Sequence, residues 1–177
     1  MRARPADASP LLAVYGTLRR GYRNWPLLQG RSALVAVGTL PGRLVHVDSP
    51  LRRYPYPGYL PTSPDSPLPE ISGTLQSVVV EVLRIDDPAL WPALDALERY
   101  LPENAADSEY VRVLVTVTTH GGTALTSWTY RYNAAVASYR DVPDGDWARL
   151  YPPDLPGDVE PVDGTNPDVT TPDVTNP

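Results

Sequence analysis

Apolar residues along this chain recur mostly with a period of two, so the first expectation is a sheet. Leu11–Tyr15 is a short apolar run that ends at Gly16, the pattern of a buried strand. Ser32–Leu40 is rich in Val, Leu and Ala and runs into Pro41-Gly42, which reads as a turn; Arg43–Val47 then alternates again. Ser72–Ile85 holds Leu75, Val78, Val79, Val80, Val82 and Leu83. Val111–Thr119 alternates Val and Leu with Arg and Thr, His120-Gly121-Gly122 turns the chain, and Thr123–Tyr132 returns it as a hairpin. One segment switches to the helical period. Asp86-Asp87-Pro88 supplies an acidic cap with proline in the first turn, and Leu90, Leu94, Leu97 and Leu101 follow. A shorter helix is expected between Tyr22 and Leu28. Six or seven strands with one main helix cannot make a doubly wound sheet. The expected class is α+β: a compact, mixed, mostly antiparallel sheet curling toward a barrel.

Two stretches break the pattern. Residues 49–70 carry seven prolines and read as a long irregular loop of the kind that is functional or disordered. Residues 152–177 hold a near-repeat around Pro-Asp-Val-Thr and almost nothing that could form a core. The expected organisation is a flexible N-terminus at 1–10, one domain at 11–151 and a disordered Pro/Asp-rich tail at 152–177. Removing 152–177 is expected to leave thermal unfolding almost unchanged. A loss of several kcal/mol, the scale of one or two core truncations, would show that the tail packs.

Charge and composition narrow the chemistry. The net charge of −6 arises entirely in the tail, which has six acids and no base; the remaining 15 acids balance 15 bases. All 15 bases are arginine, which excludes lysine Schiff-base chemistry and a Walker-type phosphate lysine. A neutral body without a basic stripe argues against a nucleic-acid partner. With no cysteine, disulfides, thiolate nucleophiles and thiolate metal sites are excluded. With only two histidines, His46 and His120, no metal site built mainly on imidazole is expected. Leu11–Val14 is too short for a signal core or a membrane span, so a cytoplasmic protein with no membrane partner is expected.

Candidate chemistry comes from the helix and from the end of the first strand. At 100° per residue, with Leu90 at 0°, Leu94, Leu97 and Leu101 all fall within about 40° of Leu90's line. Glu98 falls near 80°, on the apolar edge, whereas Asp95 (about 140°) and Arg99 (about 180°) lie further out. Burial and the helix C-terminus both raise the pKa of such a carboxylate, toward a value suited to a general base. The same position also suits a rim glutamate that reaches water or pairs with an arginine. In Val14-Tyr15-Gly16-Thr17-Leu18 a strand ends in a glycine turn whose N–H groups could face an anion, or simply end the strand. Arg19-Arg20 reads as an exposed pair or a carboxylate reader, His46 as a satisfied structural histidine and His120 as solvated. Trp91 and Trp147 read as core or rim aromatics.

Taken in order, the segments resemble the gamma-glutamylcyclotransferase-like family. The resemblance rests on Val14-Tyr15-Gly16-Thr17-Leu18 with Gly21 and Asn24, Tyr56-Pro57-Gly58-Tyr59, and Ser72-Gly73-Thr74-Leu75. It continues through Leu94-Asp95-Ala96-Leu97-Glu98, Tyr110-Val111-Arg112-Val113, Trp128-Thr129-Tyr130 and Gly145-Asp146-Trp147, covering residues 11–151. It implies a barrel-like fold with a cavity and cyclisation of a γ-glutamyl group to 5-oxoproline, with release of an amine and no cofactor. Glu98 is implied as the catalytic acid/base. Tyr15, Gly16, Thr17, Leu18 and Tyr110 are implied as substrate-binding, with no metal. Arg99 stands where the family often has glycine. Two other classes fit the residues as well: a ligand-binding module on the same fold, and an interaction protein working through the acidic tail.

Overall fold

The computed structural model describes residues 9–48, 54–62, 77–133 and 140–153. Within them lie β1 (Leu11–Val14), β2 (Ser32–Val47), β3 (Tyr56–Pro61), β4 (Ser77–Ile85), α1 (Leu90–Leu97), β5 (Tyr110–Thr119), β6 (Ala124–Tyr132) and β7 (Arg140–Asp141). Strand order is β3-β2-β4-β1-β6-β5, and β2 also pairs β5, which closes a mixed barrel of β2, β4, β1, β6 and β5. Only β1–β6 is parallel; the other pairs are antiparallel. The expected α+β barrel with one main helix is therefore what the chain forms.

β1 explains its own composition. Leu12 and Val14 face the core cluster that also receives Leu90 and Leu94 of α1. Ala13 and Tyr15 face the other cluster, with Val78, Val80, Val82 and Trp147. A strand buried on both faces reads as a continuous apolar run, not as an alternation. Four or five buried aliphatic side chains of this size, at about 1.5–3 kcal/mol each, hold the helix against the barrel.

Two sequence readings are corrected here. Pro41-Gly42 is not a turn between strands: β2 runs through it unbroken, pairing β4 up to Pro41↔Ser77 and β3 from Gly42↔Pro61 onward. Gly42 has φ +143, and a Cβ there would lie 2.6 Å from the Leu60 carbonyl oxygen, so the strand bends from one sheet to the next at the residue without a side chain. The motif Tyr56-Pro57-Gly58-Tyr59 is not loop but the body of β3. Its prolines hide the strand signal, yet proline is tolerated where a strand lies at the end of the order. The remainder of the 49–70 stretch, the Ser72–Leu75 motif, most of 1–10 and residues 154–177 lie outside the described residues.

α1 ends sooner than the leucine spacing suggests. Just before the helix, Asp87 Oδ1 accepts from the Ala89 N–H at 2.9 Å, and Ala89 itself is the N-cap, with no side-chain cap. At its end, Arg99 takes φ +52, and the N–H groups of Arg99 and Tyr100 donate to the carbonyls of Ala96 (3.2 Å) and Asp95 (2.8 Å). This is the left-handed helix stop that glycine normally serves. The reversal swings Leu101 off the apolar stripe, and it is exposed. The Arg99 guanidinium gains only a 3.4 Å contact with Glu109 and is itself 60% exposed, so that pair is worth little. Arg99→Gly is expected to raise stability by about 0.5–1 kcal/mol; a denaturant midpoint that fails to rise would contradict this account.

Candidate active site

β1, the turn after it, β3, β5, β6 and the end of α1 meet at one cleft, open at its mouth. Its lining includes Tyr15, Gly16, Thr17, Leu18, Glu98 and Tyr110, all the sequence-derived candidates, together with Asn24, Pro57 and Tyr130.

The turn is built by a hydrogen bond from the Arg19 N–H to the Gly16 carbonyl (3.0 Å), with Thr17 and Leu18 at its centre. Asn24 ties it down twice: its N–H donates to the Thr17 carbonyl (2.9 Å) and its Nδ2 to Thr17 Oγ1 (2.9 Å). Among the described residues, the N–H groups of Gly16, Thr17 and Leu18 donate to nothing else in the chain. Buried donors of that kind are a ready cradle for carboxylate or oxyanion oxygens. Gly16 is required for packing: a Cβ there would stand 2.1 Å from Pro57 Cγ.

Of the expected exposed pair, Arg20 is exposed but Arg19 is largely buried. Arg19 donates to Asp146 Oδ1 at 2.7 Å and lies 3.7 Å from buried Glu81; Arg20 donates to Glu81 through both N–H and Nε. They clamp the turn to β4 and to the Gly145-Asp146-Trp147 segment. His46 is the satisfied structural histidine expected, hydrogen-bonded to the Tyr151 hydroxyl at 2.7 Å and stacked near Trp147 and Tyr151. Trp147 is core, Trp91 is partly buried, and His120 is exposed in its turn.

Glu98 is the C-cap of α1 and partly buried. Three phenols surround it. Burial, and then the Glu98 carboxylate, push the Tyr15 hydroxyl well above its ordinary range. Burial dominates at Tyr110, with Tyr15 and Glu98 adding to it. At Tyr130 burial comes first and the hydrogen bond to Asp95 second. All three therefore stay neutral under ordinary conditions, and their O–H groups are already committed. Tyr15 donates to the Tyr130 carbonyl (2.6 Å), Tyr110 to the Pro57 carbonyl (2.6 Å) and Tyr130 to Asp95 Oδ1 (2.7 Å). Tyr15 and Tyr110 thus shape the cleft and offer it no free proton. The cleft is lined by the carboxylate residue Glu98, the 16–18 turn and neutral tyrosines. Among the described residues no three His, Asp or Glu side chains are grouped to hold a metal ion.

The model of the family described as gamma-glutamyl cyclotransferase, AIG2-like, matches residues 12–149. The chain belongs to this family. No curated protein sequence matches it significantly. Among solved structures, this cyclotransferase-family chain is similar in fold to Kluyveromyces lactis allophanate hydrolase (TM-score 0.54, 14% identity). The match covers 85% of this chain and 22% of that protein. It is also similar to YkqA from Bacillus subtilis (TM-score 0.51, 21% identity, 78% of this chain and 39% of that one). A third is the uncharacterised protein PH0828 from Pyrococcus horikoshii (TM-score 0.50, 16% identity), matched over 79% of this chain and 91% of that one. At these identities the likeness is one of fold. The same fold thus makes up nearly all of one of these chains and a fraction of the other two.

Tyr130 and Asn24 line the cleft and were not among the sequence candidates. Asn24 was visible only as a motif position. Tyr130 sits in a strand whose alternation gives no hint of which face reaches a cavity. No helix among the described residues is long and apolar enough to cross a membrane.

Proposed function

We propose that this chain is a gamma-glutamyl cyclotransferase-type enzyme that converts a small γ-glutamyl amine or amino acid to 5-oxoproline and a free amine, with Glu98 as general acid/base. The observation that carries the reading is the placement of Glu98 in one cleft with the unpaired amides of Gly16, Thr17 and Leu18. The substrate's α-ammonium gives a proton to the Glu98 carboxylate, and the freed amine attacks the γ-carbonyl carbon. A carbon–nitrogen bond forms in the ring, and the tetrahedral oxygen gathers negative charge near fixed N–H donors. The bond to the departing amine then breaks as Glu98 returns its proton to that nitrogen, and the ring nitrogen gives its second proton to the freed amine, which leaves as an ammonium. No water is consumed. The nucleophile belongs to the substrate, so no activated serine or metal-bound hydroxide is needed. Holding the chain bent for five-membered closure supplies the orientation term.

The test is release of 5-oxoproline from a panel of γ-glutamyl amines, amino acids and peptides. Release from at least one member, abolished by changes at Glu98, supports the reading. Binding of γ-glutamyl compounds with no release from any would favour a ligand-binding module instead.

A further inference from the structure

Asp95 lies one turn before Glu98 on α1, and nothing so far gives it a task. Its Oδ1 accepts from the Tyr130 hydroxyl at 2.7 Å and forms an ion pair with Arg112, whose Nη1 lies 3.2 Å away. Arg112 and Tyr130 are direct cross-strand partners on β5 and β6, so their side chains rise from the same face of the sheet toward α1. The Arg112 guanidinium is enclosed by aromatic rings, 5.0 Å from Trp91, 5.4 Å from Trp128 and 5.7 Å from Tyr100. Those faces attract the cation and keep water off the pair, whose side chains are only 15% (Asp95) and 23% (Arg112) exposed.

This arrangement fixes a proton. A phenol has one O–H; once it is donated, the oxygen can only accept. Tyr130 spends its O–H on Asp95, and it also lines the cleft together with Glu98. With its proton committed, the phenol oxygen can meet a ligand only as an acceptor. A γ-glutamyl ligand carries at its α-carbon one group with N–H bonds to give, the ammonium, and one that needs them, the carboxylate. We infer that Asp95, anchored by Arg112, is a positioning residue that locks Tyr130 as a hydrogen-bond acceptor for the ligand's α-ammonium. This rests on the proposed γ-glutamyl ligand but not on turnover. Without Asp95, the Tyr130 O–H can swing into the cleft and meet the ammonium donor to donor.

Two probes separate the ammonium from the rest of the ligand: L-glutamine, and glutaramate, which lacks the α-amino group. Calorimetric titration of the full chain at neutral pH is expected to show glutamine preferred by about tenfold, the worth of a hydrogen bond to a charged group. Asp95→Ala should collapse that preference while glutaramate binding, the measure of an intact cleft, is kept. Asp95→Asn should restore it, because the amide oxygen still accepts from Tyr130. Tyr130→Phe should collapse it equally, and adding Asp95→Ala to Tyr130→Phe should do nothing more. The inference is overturned if the wild type shows no preference, if Asp95→Ala retains it, or if the two losses add. Should Asp95→Ala fail to fold, Tyr130→Phe and Asp95→Asn decide alone: a preference kept by the first or lost by the second overturns it. Failure of the enzyme reading looks different: no 5-oxoproline from any panel member while the ammonium preference shifts as described.

Discussion

Glu98→Gln is expected to lower turnover by about 10²–10⁴-fold, the usual worth of a positioned acid/base. Glutamine keeps the shape and a hydrogen-bonding head but cannot take the ammonium proton. Affinity for the glutamyl group should survive, because the 16–18 amides and not Glu98 hold its oxygens. Glu98→Ala should cost a similar factor in rate with modest destabilisation, since the residue sits at the core edge. The pH profile gives a second handle. Tyr15, Tyr110 and Tyr130 are all held neutral by burial, so they cannot produce a limb near neutrality. Activity should rise with pH as Glu98 loses its proton, and that acid limb should vanish in whatever residual rate the Gln variant retains. Near wild-type turnover in Glu98→Gln, with an active substrate in hand, would remove Glu98 from the proton path.

The second large effect is on the fold. Gly145 takes φ +62, and a Cβ there would lie 1.9 Å from the Ser77 carbonyl oxygen and 3.0 Å from its carbon. Both neighbours are backbone of β4 and cannot rotate away. Gly145→Ala combines left-handed strain of about 1–2 kcal/mol with an overpacking cost of about 1–3 kcal/mol. A loss of roughly 2–5 kcal/mol in denaturant unfolding is expected on that basis. Gly122 supplies the control: it has φ +80 but nothing within 4 Å of an added Cβ. Gly122→Ala should therefore cost only the conformational part, about 1 kcal/mol. Equal losses at the two positions would mean that Ser77 does not press on Gly145.

How much of this was readable beforehand differs from element to element. The Val111–Tyr132 hairpin was legible from its alternation, and β4 from its run of β-branched and aliphatic residues. β3 was not, because Pro57 and Pro61 erase the strand signal while the partner strand β2 supplies the geometry. Pro41-Gly42 misleads for a related reason: a strand bent between two sheets and a turn need the same residues. The helix wheel placed Glu98 on the inner edge but overran the helix, since a left-handed arginine at position 99 is a local choice that propensity disfavours. The burial of Arg19 was beyond sequence reasoning, as its partners Glu81 and Asp146 lie 62 and 127 residues away. Asp95 was seen only as an outward position; its partners Arg112 and Tyr130 come together through sheet register.

The Arg19 clamp makes the cleft and the frame thermodynamically one object. The turn that would receive a ligand is tied by Arg19 to Glu81 of β4 and to Asp146 in the segment after β7, and by Arg20 to the same Glu81. A molecule that engages the 16–18 amides therefore holds the native state as a whole and not a detached loop. By linkage, a ligand at a hundred times its dissociation constant adds about 2.7 kcal/mol to unfolding. The melting temperature of the full chain thus becomes a ligand detector that needs no turnover, and libraries of glutamyl compounds can be ranked by it before any product is sought.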